Sequence, residues 1–92
     1  MTEDARKEIV FTGRVQGVGF RYTTRSIARG YKVTGFVRNM PDGSVYLVAE
    51  GPPAEVEAFV SALKARMKSY IVDAQESGAP PAGSFESFEI AF

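Results

Sequence analysis

The chain has 92 residues, 45% of them hydrophobic and 24% charged, the proportions of one soluble globular domain spanning residues 1–92. Eleven Lys and Arg balance eleven Asp and Glu; the absence of cysteine and histidine removes disulfides, thiolate metal sites, thiol nucleophiles and the commonest general base. No apolar run approaches the ~18 residues of a membrane span and the first residues lack the apolar block of a signal peptide, so a cytoplasmic protein is expected.

Met1 to Arg6 is polar and predicted to fray. From Lys7 to Val15 apolar residues alternate, with Ile9, Phe11, Gly13 and Val15 on one face, which predicts a strand. Gly17 and Gly19 punctuate the loop that follows. At Phe20 the period changes: Phe20, Thr24, Ile27, Ala28 and Tyr31 recur at helical spacing, with Gly30 as the expected C-cap. Val33 to Asn39 is a second predicted strand, closed by the turn residues Met40-Pro41-Asp42-Gly43. Ser44 to Glu50 is a third, with Val45, Leu47 and Ala49 on one face. Gly51-Pro52-Pro53 ends it and opens a second helix, since proline suits the first helical turn. Val56, Phe59, Val60, Leu63 and Met67 form that helix's apolar stripe. Tyr70 to Ser77 is a fourth strand, Gly78 to Ser84 a Pro- and Gly-rich loop, and Phe88, Ile90 and Phe92 alternate in a fifth strand.

The order β-α-β-β-α-β-β predicts an α+β fold, a ferredoxin-like sandwich with two helices on one face of a mostly antiparallel sheet. That fold hosts many activities, so function has to come from particular residues. The informative stretch is Gly13-Arg14-Val15-Gln16-Gly17-Val18-Gly19-Phe20-Arg21. Glycines let backbone N–H groups converge on a ligand, and a helix N-terminus behind them adds unpaired amides and positive partial charge. Such a loop binds phosphate or a similar anion. Arg21, a cation in the first helical turn, opposes the helix dipole; a bound phosphate turns that disadvantage into charge-assisted hydrogen bonds. From Ile9 to Pro41 there is no Asp or Glu, whereas Arg14, Arg21, Arg25, Arg29, Lys32 and Arg38 all lie there. Arg25, Arg29 and Arg38 read as solvated charges, which leaves a small anion site in place of a broad basic surface.

The chemistry available to such a site is narrow. Without histidine, Thr23, Thr24 and Ser26 have no partner to activate them as nucleophiles. Carboxylates are scattered, with no metal-binding cluster. The loop is not followed by the Gly-Lys-Ser/Thr of a nucleotide-binding P-loop, and Tyr22 stands where a dinucleotide fingerprint needs its third glycine. Amides, one arginine and neutral polar side chains can bind a phosphoryl group, stabilise charge on its oxygens and position a water. That repertoire suits a carboxylic–phosphoric mixed anhydride, whose departing carboxylate is a weak base needing no general acid.

Three motifs resemble the signature of the acylphosphatase family: the Gly13–Arg21 stretch, Gly35-Phe36-Val37-Arg38-Asn39, and Asp42-Gly43-Ser44-Val45. The resemblance implies that Gln16, Gly17, Val18, Gly19 and Phe20 cradle the phosphate with backbone N–H groups. It also implies that Arg21 holds the phosphate oxygens and stabilises the transition state, and that the Asn39 side-chain amide orients the attacking water. It further implies an acyl phosphate substrate, inorganic phosphate as product and inhibitor, no metal or organic cofactor and no stable phosphoenzyme. No nucleic-acid or membrane partner is implied, and a monomer is expected. Some members carry cysteine where this chain has Gly19, so thiol-dependent behaviour does not transfer. Gln16 is expected to contribute its backbone more than its side chain, Phe20 to be core, and Thr24 to be buried with its hydroxyl bonded to the preceding turn.

Two other readings compete. RNA-recognition modules share this element order, but their basic–Gly–aromatic–Gly–aromatic signature is missing from Ser44 to Gly51, and a pI near 6.2 favours a small-anion site. Acylphosphatase-like units also occur as accessory domains at the N-terminus of the carbamoyltransferase that matures hydrogenases. Retention of Arg21 and Asn39 argues against a non-catalytic copy.

Overall fold

A computed structural model describes residues 3–92; Met1 and Thr2 of the expected frayed tail lie outside the described residues. The elements are β1 (Ala5–Gly13), α1 (Phe20–Ala28), β2 (Thr34–Asn39), β3 (Val45–Gly51), α2 (Pro53–Arg66), β4 (Ile71–Ala79) and β5 (Phe88–Ala91). The strands form one open sheet in the order β4-β1-β3-β2-β5. All neighbouring pairs are antiparallel except β2 and β5, which run parallel with Val37 opposite Ile90. Both helices pack on one face, giving the predicted ferredoxin-like α+β sandwich, with β5 added beside β2. Among the described residues no helix is long and apolar enough to cross a membrane.

The alternation in the sequence translates directly into the core. Ile9 and Phe11 of β1, Val37 of β2, and Val45, Leu47 and Ala49 of β3 point to the helices and are fully buried. Phe20, Thr24 and Ala28 of α1 and Val56, Phe59, Val60 and Leu63 of α2 close over them. Phe11 meets Phe20 at a centroid distance of 5.1 Å, and Phe59 meets Phe88 edge-on at 5.4 Å. Burying each such ring is worth on the order of 2–3 kcal/mol, so β1, α1, α2 and β5 are held by shared aromatic contacts. Thr24 is buried as expected, its hydroxyl donating to the Phe20 carbonyl at 2.7 Å.

Several boundaries differ from the sequence reading. β1 starts at Ala5, not Lys7, because Arg6 pairs across the sheet with Glu50 and along its own strand with Glu8; the last two residues of the expected tail are therefore in the sheet. It stops at Gly13, where its register against β4 shifts, and Val15 is buried from the loop instead of from the strand. Gly30 is not a left-handed C-cap: α1 ends through tight turns in which the Gly30 and Tyr31 amides donate to the Ile27 and Ala28 carbonyls.

The far face of β3 is covered as well. Val48 and Glu50 are buried, and the segment between β4 and β5 lies against Glu50. Phe85 of that segment packs edge-on against Phe36 at 5.9 Å, and the Arg6 guanidinium lies over the Phe85 ring. Glu50 accepts hydrogen bonds from the amides of Ala82 (2.8 Å) and Gly83 (3.0 Å) and from Arg6 (2.7 Å). Burial pushes its carboxyl up, but the two amides and Arg6 outweigh burial and hold it below the ordinary value.

Candidate active site

β2 and β5 end side by side, and the loop between β1 and α1 crosses in front of them. A cleft of about 200 Å³ opens at this junction, lined by Val15, Gly17, Gly19, Phe20, Arg21, Tyr22, Asn39, Ile90 and Phe92. Gly17 and Gly19 have φ of +76° and +77°, a region that disfavours any residue with a Cβ. A Cβ at either position would have nothing within 4 Å. Glycine is thus demanded by the backbone conformation and not by crowding.

Gly19 is also the N-cap of α1, and no side chain caps that end. The first turn contains no acidic residue, so no carboxylate in it offsets the positive end of the helix dipole. The Thr23 amide is the first to bond back, to the Gly19 carbonyl at 2.9 Å. Arg21 adds a formal positive charge at this end of the helix. Among the described residues no ion pair involves Arg21; its guanidinium lies 5.1 Å from the centroid of the Phe92 ring.

Asn39, the last residue of β2, pairs with Val45 of β3 and lines the same cleft. The hairpin that holds it is closed by several hydrogen bonds. The Met40 amide donates to the Ser44 carbonyl (2.8 Å) and the Gly43 amide to the Met40 carbonyl (3.1 Å). Asp42 accepts from both the amide and the hydroxyl of Ser44, and these bonds, the hydroxyl first, keep its carboxyl below the usual range.

Arg21 and Asn39, more than a strand apart in sequence, are thus brought to one cleft together with Gly17, Gly19 and Phe20. Gln16 and Val18 stand beside it. Val18 packs against the core, and the Gln16 side chain turns away to the β2–β3 hairpin, donating to the Met40 and Ser44 carbonyls. Arg38 points to the opposite face of the sheet and stacks over Phe36 and Tyr46, so it is neither a cleft residue nor a simply solvated charge.

The acylphosphatase family model matches residues 7–90. The chain belongs to the acylphosphatase family. An acylphosphatase of Archaeoglobus fulgidus is 42% identical over 85 residues, which cover 92% of this chain and 96% of that protein. The crystal structure of acylphosphatase from Bacillus subtilis matches with a TM-score of 0.85 and 32% identity, covering 96% of this chain and 99% of that one. Full-length HypF, in a phosphate- and nucleotide-bound form, matches with a TM-score of 0.85 and 26% identity over 100% of this chain but 12% of its own. Family membership makes the chain an acyl phosphate hydrolase, as the motifs imply.

Four cleft residues of this acylphosphatase were not singled out in the sequence: Val15, Tyr22, Ile90 and Phe92. They give the cleft an apolar lining, with the Phe92 ring against the Arg21 guanidinium. Tyr22 carried a signal, because it follows Arg21 directly and falls outside the helix's apolar stripe; it is 65% exposed. Ile90 became a cleft residue only through the parallel pairing of β5 with β2, which the alternation of the last strand does not specify.

Proposed function

We propose that this acylphosphatase hydrolyses its substrate by holding the phosphoryl group in a cradle of backbone amides from Gln16, Gly17, Val18, Gly19 and Phe20, clamped by Arg21. Asn39, through its side-chain amide, orients the water that attacks phosphorus. The water oxygen bonds to phosphorus as the bond to the acyl oxygen breaks. The acyl group departs with the electron pair as a carboxylate, and the water's proton passes to solvent. Negative charge on the phosphoryl oxygens is met by Arg21 and the α1 amides, which are fixed before the substrate arrives and need no reorganisation.

The observation that carries this reading is the meeting of Arg21 and Asn39 on the walls of the cleft that contains Gly17 and Gly19. A leaving carboxylate makes a general acid unnecessary, in keeping with a chain that has no histidine. The same reading has the enzyme work without a metal or organic cofactor, as a cytoplasmic monomer, on small-molecule acyl phosphates and not on nucleic acid. Inorganic phosphate, the product, occupies the same cradle and inhibits competitively.

Substitution separates the two roles. Arg21→Ala and Asn39→Ala should each lower kcat for benzoyl phosphate by about 10²–10³-fold, the loss typical of one preorganised transition-state donor. Inhibition by phosphate should weaken in Arg21→Ala and persist in Asn39→Ala. A folded Asn39→Ala protein with the original kcat would remove Asn39 from the mechanism.

A further inference from the structure

The cradle and Asn39 come from different parts of the chain, so something must set the distance between them. The β1–α1 loop could move with α1, and the hairpin carrying Asn39 could move with β2 and β3. One side chain joins the two. The half-buried Gln16 donates from Nε2 to the Met40 carbonyl at 2.8 Å and to the Ser44 carbonyl at 2.9 Å.

Those acceptors flank the residues that matter. Met40 follows Asn39, Ser44 precedes Val45, and Asn39 and Val45 are cross-strand partners. The amide of Gln16 therefore grips both arms of the hairpin one residue beyond Asn39. A primary amide has two N–H donors, and both are used here. The Ser44 carbonyl, already bonded to the Met40 amide at 2.8 Å, accepts the second with its remaining lone pair. Gln16 also adjoins Gly17, so the backbone whose amides form the cradle is the backbone from which this clamp extends.

We infer that Gln16 is a positioning residue, which fixes Asn39 at its working distance from the phosphate cradle through these two hydrogen bonds. The inference rests on the proposed roles of the loop and Asn39. Its chemistry is selective: Asn is one methylene too short to reach both carbonyls, Glu would set an acceptor against two acceptors, and Met fills a similar volume without a donor.

The test is a double-mutant cycle on benzoyl phosphate hydrolysis, using the full chain with Gln16→Met, Asn39→Ala and both together, and Gln16→Asn as the alternative should Gln16→Met fail to fold. Misplacement by about 1 Å can cost about 100-fold in rate, so Gln16→Met is expected to lower kcat by about 10- to 100-fold. The inhibition constant for inorganic phosphate should stay within about threefold, because the substitution changes only the side chain and keeps every backbone amide of the cradle. In the Asn39→Ala background the same change should matter by less than about threefold, since residues that act as a unit are not additive. Equal losses in both backgrounds, wild-type kcat in Gln16→Met, or a rise in the phosphate constant that matches the fall in kcat would overturn the inference while leaving Asn39's role intact. An Asn39→Ala protein with undiminished kcat would overturn both.

Discussion

Arg21 stands in the first turn of α1, where a cation meets the positive end of the helix dipole and where acids are usually favoured. Its position is unfavourable to an empty helix and useful to one that holds a dianion, and this conflict is what made the site visible in the sequence. Asn39 was legible for a weaker reason: an Asn at a strand end before Pro41-Asp42-Gly43 is also ordinary turn chemistry, and it needed the neighbouring motifs to stand out. Gln16 was legible only as backbone, because which carbonyls its amide reaches depends on how two distant segments pack. Tyr22 makes a prediction at this scale. Its exposed ring lines the cleft, and on the proposed mechanism it contacts an apolar acyl group. Tyr22→Ala should lower kcat/KM for benzoyl phosphate about fivefold, the loss of roughly 1 kcal/mol of apolar contact, and leave acetyl phosphate nearly unchanged. Equal losses on the two substrates would place Tyr22 outside acyl recognition.

Among the elements, the strands and helices followed from periodicity because one face of each is buried and the other is not. The helical stripe of α2 and the alternation of β1 and β3 contain most of the core. The segment between β4 and β5 did not follow. Its Pro and Gly content marks a loop, but nothing local says that this loop folds back over the far face of the sheet. The link is long-range: Glu50 accepts the amides of Ala82 and Gly83 while pairing with Arg6. A carboxylate this buried is tolerated because three donors satisfy it, and removing it leaves Arg6 half-buried and two amides unbonded. Glu50→Ala should therefore destabilise the fold by about 3 kcal/mol, the lower end for breaking a buried ion pair, measured by denaturant unfolding. The carboxyl is held below its ordinary value in the folded state, so its contribution is complete above the unfolded carboxylate pKa. It is lost as pH falls through the lower, folded value. Thermal unfolding followed from neutral to acid pH should show that decline, and Glu50→Gln should flatten it. An identical acid limb in the two proteins would show that Glu50 does not govern it.

For the whole molecule, zero net charge conceals a division that the fold makes functional. The acid-free span from Ile9 to Pro41 includes the second half of β1, the glycine loop, α1 and β2, which carry most of the cleft's lining residues. The sheet order brings the ends of β2 and β5 together beside the loop, and this junction turns motifs spread over the chain into a single site. On the proposed mechanism a mixed anhydride suits that site, because binding its phosphoryl end is most of what hydrolysis requires. The measurement that tests this most directly compares hydrolysis of benzoyl phosphate with that of a phosphate monoester, each in the presence of excess chelator. The account predicts full activity on the acyl phosphate and negligible activity on the monoester, whose alkoxide leaving group the cleft cannot assist. Comparable rates on both, or activity that returns only with an added divalent metal, would contradict it.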